Sequence, residues 1–285
     1  MEYVKLIFFF GALALLASWI AIRQGFYTFA LGRAQVRPLP LKSVLVVFAI
    51  YLGITVFFAP LLVRLIHVMY SAKGVSVPYA IMGWIQVLVL SVVFLLLYLF
   101  SRTQDPSLMK KIWKDSSVPN SKPIMWDAFL GVITWLISFP LVTVIGQCAD
   151  MLLYYWFGFE QYEQVAVRYL KMSLQFPDLL ASALFAILIA APIIEEFLFR
   201  GFLQTYLKKH FTVKTSIALA SMCFALFHLS PSQGLGNFSL VIALFTFSLF
   251  LGFIYERQAS LFASIGLHMA FNTFSTIRIL FLPEG

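Results

Sequence analysis

The segment Ala191-Pro192-Ile193-Ile194-Glu195-Glu196-Phe197-Leu198-Phe199-Arg200 puts two adjacent carboxylates and a guanidinium inside an otherwise apolar run from about Leu179 to Leu207. A charge at the centre of a membrane helix costs about 2.5–3.5 kcal/mol on insertion scales. Packing alone does not justify three of them so close together, and intramembrane ionisable residues are read first as a functional site. Glu196 and Arg200 are i and i+4, one above the other on a helix face, and can pair. Glu195 projects about 100° away from Glu196 and has no local counter-charge. An uncompensated carboxylate in a low-dielectric site is a proton acceptor. Glu195 is therefore the candidate base, with Glu196 and Arg200 as its scaffold. The alternative, a closed ion-pair cluster that fastens helices, leaves Glu195 still in need of a partner of its own.

Two further groups of polar residues interrupt apolar stretches. His228 ends the run Phe224-Ala225-Leu226-Phe227-His228 and shares a helix face with Phe224. Alone, such a histidine is more often a hydrogen-bonded core residue than a catalytic one. His268 and Asn272 form a second i, i+4 pair, and Ser264 and Ser260 continue their stripe. Small polar residues of this kind often join membrane helices. That reading absorbs the serines but accounts less well for a histidine beside a carboxamide. Together, one spare carboxylate, two histidines and one carboxamide come from three separate apolar spans. A carboxylate can take a proton from water, histidines can orient that water, and a carboxamide N–H can stabilise an oxyanion. These are parts for hydrolysing an acyl bond without a covalent enzyme intermediate. Ser221, Ser264 and Thr273 lie near the histidines, but no Gly-x-Ser-x-Gly elbow accompanies them.

The elements that must position these groups are membrane helices. Of 285 residues, 61% are hydrophobic and 11% are charged, against about 25% charged in soluble domains. The expected fold is all-α, a polytopic transmembrane bundle with a polar intramembrane cavity. Eight apolar spans are expected, over residues 4–22, 43–66, 79–100, 126–156, 179–207, 215–229, 235–255 and 260–282. The first reads as an uncleaved span rather than a signal peptide, because Arg23 follows the apolar run and the leading segment is barely positive. Basic residues favour alternate loops: Arg23, Arg33, Arg37 and Lys42; Arg102, Lys110, Lys111, Lys114 and Lys122; Lys208, Lys209 and Lys214; then Arg257. The positive-inside rule puts those loops in the cytoplasm and both termini outside it. The net charge of +8 is thus topology information, and no nucleic-acid partner is expected. Residues 101–123 read as a charged connector. Residues 158–178 read equally as a surface amphipathic helix or a solvated loop. Cys148 and Cys223 read as small buried hydrophobes rather than a disulfide. Spans one to four (1–178) and the motif-bearing spans five to eight (179–285) are expected to form one structural unit.

Glu195-Glu196-x-x-x-Arg200, Phe224-x-x-x-His228 and His268-x-x-x-Asn272, in that order, resemble the three motifs of the CPBP family, the CAAX proteases and bacteriocin-processing enzymes also called Abi proteins. Tyr255-Glu256-Arg257 through Ile265 is similar to the usual approach to the last motif. The resemblance covers the C-terminal third, and the first four spans carry no such motif. It implies an intramembrane endopeptidase with a cavity open toward the cytoplasm, acting on a peptide or protein that is prenylated or membrane-associated. Eukaryotic members remove the last three residues of prenylated CAAX proteins. It further implies that Glu195 activates water assisted by His228 and His268, that Asn272 helps form an oxyanion hole, and that Glu196 and Arg200 hold the base in place. A non-enzymatic bacteriocin-immunity or regulatory partner is the alternative; a transporter lacks the repeat symmetry it would need. Two histidines and a glutamate are also a zinc set. Here the histidines are 40 positions apart rather than in His-Glu-x-x-His, and a carboxamide beside the second suits an oxyanion better. A site without metal or other cofactor is the expectation.

Overall fold

The computed structural model describes residues 2–29, 39–119, 121–158 and 164–281. Among these the chain is helical, with one isolated backbone bridge between Lys114 and Ser260. The helices in order are α1 (Glu2–Arg23), α2 (Leu41–Ser71), α3 (Tyr79–Arg102), α4 (Pro106–Trp113), α5 (Ile124–Phe157), α6 (Val165–Ser173), α7 (Pro177–Leu207), α8 (Val213–Leu226), α9 (Gly236–Gln258) and α10 (Leu261–Phe281). Each of the eight expected spans holds a helix. Six of them, α1, α2, α3, α5, α7 and α9, are long and apolar enough to cross a membrane. Helix α8 is short, with 14 residues. Helix α10 has 21 residues, but His268, Asn272, Arg278 and its hydroxyl residues dilute its hydropathy. The chain is an all-α integral membrane bundle.

Helix α5 is the central post, packed against α1, α9 and α10. Its approach to α10 depends on two glycines. A Cβ on Gly131 would lie 2.0 Å from the Ala263 carbonyl oxygen, and one on Gly266 would lie 2.4 Å from that of Ala128. Close backbone contact over small residues is a standard way to join membrane helices, where lipid supplies no hydrophobic drive. It brings α10, and with it His268, against the bundle centre.

Helix α7 is buried around its charges: Ile194, Phe197, Leu198, Phe199 and Phe202 are all core residues. It winds in wider π turns at Ala186–Ala190 and Phe197–Gln204, on either side of the Glu195–Glu196 pair. The first precedes Pro192. Lacking an N–H, Pro192 closes no backbone bond to the carbonyls behind it.

The 101–123 connector differs from expectation. Asp105 caps helix α4, its side chain accepting from the Ser107 N–H at 2.8 Å. Leu108, Met109 and Ile112 form one apolar face and are buried in the same core cluster as Phe197 and Phe202. The charges that make the segment look like a loop, Lys110 and Lys111, lie on the other face. Within 158–178 the helical alternative holds for α6, which buries Leu170 and Ser173. Glu160 and Glu163, like Arg33 and Arg37, lie outside the described residues. Both cysteines are free, but Cys223 is exposed on the outer face of α8 rather than buried.

The basic loops meet at one end. The Asp115 N–H donates to the Ala259 carbonyl at 2.8 Å, Lys208 pairs with Glu256 at 2.8 Å, and Arg257 Nε donates to the Phe26 carbonyl at 2.8 Å. At the other end the Tyr169 hydroxyl donates to Gln86 Oε1 at 2.6 Å, and Arg168 donates to Ser232 at 3.0 Å.

Candidate active site

Helix α7 carries Glu195 and Glu196 on different faces, and the two meet different partners. Glu196 is fully buried. Its Oε1 accepts from Arg200 Nη1 at 2.9 Å and stands 2.9 Å from His268 Nδ1. Arg200, itself 1% exposed, also gives Nη2 to the Ser248 hydroxyl at 2.6 Å and carbonyl at 3.2 Å. Its guanidinium lies over the Phe224 ring at 4.7 Å. The i, i+4 pair read from sequence is present, and it is extended at both ends. One end ties α7 to α9 through Ser248, the other ties it to α10 through His268. A buried ion pair is tolerated when its remaining donors and acceptors find partners; Ser248 serves Arg200 and His268 shares Glu196 Oε1, while Glu196 Oε2 is buried without a hydrogen-bond partner among the described residues.

Glu195 is 12% exposed and faces the two imidazoles. Its Oε2 lies 3.8 Å from His228 Nε2 and 3.8 Å from His268 Nε2. These separations are too long for direct hydrogen bonds and suit groups that share a further small partner between them. The tautomers follow from the other ring nitrogens. His228 Nδ1 is 2.8 Å from the Phe224 carbonyl, and His268 Nδ1 contacts the Glu196 carboxylate. A carbonyl and an ion-paired carboxylate only accept, so both Nδ1 atoms are assigned the proton. Both Nε2 atoms then face Glu195. Two edge-to-face contacts fix the His268 ring, from Phe224 at 5.9 Å and Phe247 at 5.4 Å.

His228 is not on the helix face it was expected to share with Phe224. Helix α8 ends at Leu226, and His228 stands in the turn beyond it. Its N–H reaches back only to the Ala225 carbonyl, at 3.2 Å. The two rings still pack together, tilted by 44° with centroids 4.7 Å apart. Leaving the helix lets the ring lean back over Phe224 toward α7.

Asn272 lies one turn beyond His268. Its Nδ2 donates to the Ile187 carbonyl at 2.8 Å. Ile187 is five residues before Pro192, inside the first π turn, where Pro192 supplies no backbone donor. This bond ties α10 to α7 about two turns before Glu195. A carboxamide has two N–H groups, so one remains for another acceptor.

Ser248 carries no signal in the sequence; it is an ordinary small residue in an apolar helix until Arg200 reaches it. Nor did it mark Tyr51 of α2, which packs on Phe227 with ring centroids 5.6 Å apart and lies within electrostatic reach of Glu195. Ser221, Ser264 and Ser260 are buried; the Ser264 hydroxyl donates to the Leu261 carbonyl at 3.0 Å within its own helix. Two imidazole nitrogens and a carboxylate oxygen are donors that zinc accepts. Among the described residues, however, no group of three or more His, Cys, Asp or Glu is arranged to hold a metal ion.

Residues 177–274 match the family described as Type II CAAX prenyl endopeptidase Rce1-like. This stretch runs from the start of α7 to just past Asn272. No curated protein and no solved structure matches the chain. Over residues 177–274, about a third of its length, the chain is similar to this family of CAAX prenyl endopeptidases.

Proposed function

We propose that the chain hydrolyses a peptide bond within the membrane by a glutamate-activated water, without metal. The observation that carries this reading is the single Glu195 oxygen set 3.8 Å from both histidine Nε2 atoms. A water held among these three groups loses a proton to Glu195 as its oxygen attacks the scissile carbonyl carbon. The C–N bond then breaks, and the proton passes to the leaving amine. Asn272 offers its remaining N–H to the oxyanion, and an imidazole in its protonated form can do the same. Glu196 and Arg200 do not touch the substrate; they hold His268 and the helix that carries the base. The substrate class is a prenylated or membrane-associated peptide or protein, reached from the cytoplasmic side.

Zinc is the second reading, because Glu195, His228 and His268 converge their lone pairs. It is disfavoured by a carboxamide, Asn272, in place of a further zinc ligand. Purified protein tested on a quenched-fluorescent farnesylated CAAX peptide is expected to cleave it, to lose cleavage in Glu195→Gln while the melting transition is retained, and to resist phenanthroline. Stoichiometric zinc by elemental analysis, with activity lost to the chelator and restored by zinc, would make the three residues ligands instead. Cleavage by neither the wild type nor any variant, with the biological effect of the protein intact in Glu195→Gln, would favour the non-enzymatic immunity or regulatory partner.

A further inference from the structure

A cavity lies apart from Glu195, at the end where the basic loops gather. It measures about 650 Å³ and lies between the C-terminal part of α4, the 114–123 segment and the starts of α5 and α10. Three lysines line it: Lys110, Lys114 and Lys122. Lys114 is held by the buried carboxylate of Asp127, which anchors it and neutralises it. Lys110 and Lys122 are exposed and have no acidic partner among the described residues. The hydroxyls of Ser116 and Ser121 line the same cavity. Asp115, next to Lys114, is buried and is not among the residues lining the cavity; its Oδ1 accepts from the Ser117 N–H at 3.0 Å. The cavity thus presents two uncompensated ammonium groups and two hydroxyls, the donor set of a phosphate site.

The surroundings suit a lipid phosphate. One wall is the Trp113 ring, which is tilted against Phe262 at 5.7 Å. The mouth opens beside the first turn of α5, where Ile124, Met125 and Trp126 are 45%, 81% and 46% exposed. Helix α5 is a candidate membrane span from Ile124 onward, so this turn enters the bilayer where headgroups meet acyl chains, and interfacial tryptophan is typical there. A phosphate seated between Lys110 and Lys122 would leave acyl chains to run down this exposed apolar turn. We propose that this cavity binds the phosphate of an anionic phospholipid. Basic pockets between membrane helices are the usual form of such sites.

The test is titration of the purified full chain in detergent with phosphatidylglycerol, phosphatidylcholine and inorganic phosphate, read as an apparent Kd. Phosphatidylglycerol is expected to bind best. Each lysine lost should weaken it about fivefold, since a lysine near an anionic bilayer contributes about 1 kcal/mol. Lys110→Gln/Lys122→Gln should therefore weaken it about 25-fold by the same figure. Lys209→Gln/Lys214→Gln, at the same end but outside the cavity, should leave it unchanged. Equal affinity for the two lipids, or an unchanged Kd in the Lys110/Lys122 variant, would overturn the site. Inorganic phosphate competing at its own submillimolar Kd would overturn the lipid assignment in favour of a free-anion site. Both variants keep every residue around Glu195, so peptidase activity remains a check on folding.

Discussion

Glu195 and Glu196 are neighbours in sequence with opposite obligations. Glu196 accepts from Arg200 and His268 in a site with no exposure, so its charge is part of the fold. Glu195 has no contact short enough to be a hydrogen bond to either imidazole, so its charge is available. Glu195→Gln should abolish hydrolysis at nearly wild-type thermal stability, because it removes a costly charge with little change in shape. Glu196→Gln should lose activity and stability together. It leaves the Arg200 charge buried with only Ser248 and the Phe224 ring, and breaking a buried pair costs on the order of 3–5 kcal/mol. Melting curves of the two variants side by side check this; equal losses of stability would reverse the assignment. This division was legible in the sequence because helix periodicity alone separates i from i+1 and joins i to i+4. The second partner of Glu196 was not legible. That His268 uses one nitrogen for each glutamate depends on where α10 crosses α7, which no local pattern encodes.

At the level of elements, the site depends on how closely α10 can approach. Gly131 and Gly266 each meet partner backbone well inside contact distance of any Cβ, and backbone cannot move aside as a side chain can. Gly266→Ala should therefore push α10 away from α5. Overpacking of this kind costs about 1–3 kcal/mol. His268 is two residues further on, and a shift of about 1 Å at a catalytic group can cost about 10²-fold in rate. Gly146→Ala is the control, since its added Cβ would meet only the Ala243 methyl, at an ordinary 3.6 Å. Comparing kcat and melting temperature of the two variants tests the claim; comparable effects would show that the Gly131–Gly266 crossing does not position the site. The helices themselves were legible from apolar run length, but two features were not. Helix α4 hides its three buried residues among lysines, so its composition reads as loop. In sequence His228 continues the α8 pattern, yet the regular helix stops at Leu226, and a boundary shift of one or two residues is not encoded in the local pattern.

On the scale of the whole molecule, the open question is which end faces the cytoplasm. Helix α8 spans about 21 Å with its 14 residues, short of the roughly 30 Å hydrocarbon layer. The chain completes that crossing through the turn holding His228 and the short 3₁₀ turn Pro231–Gln233. Ser232 reaches Arg168 at the end opposite the basic loops, and α9 returns to Glu256, which pairs with Lys208. Irregular backbone at membrane depth is tolerated where protein buries it, and here it delivers His228 to Glu195. Six helices are long and apolar enough to cross; if α8 with its turn and α10 also cross, the count is eight, and we propose on that count that both termini lie on one side. The positive-inside rule assigns Lys208, Lys209 and Lys214 to the cytoplasm, and hence the termini to the other face. Cys148 and Cys223 are free thiols, so the experiment starts from Cys148→Ser/Cys223→Ser to give a cysteine-free background. In that background, a membrane-impermeant maleimide applied to intact cells should modify Gly285→Cys and spare Lys209→Cys until the membrane is permeabilised. Modification of both positions from the same side would mean that α8 or α10 does not cross, and would remove the basis for cytoplasmic access to the site.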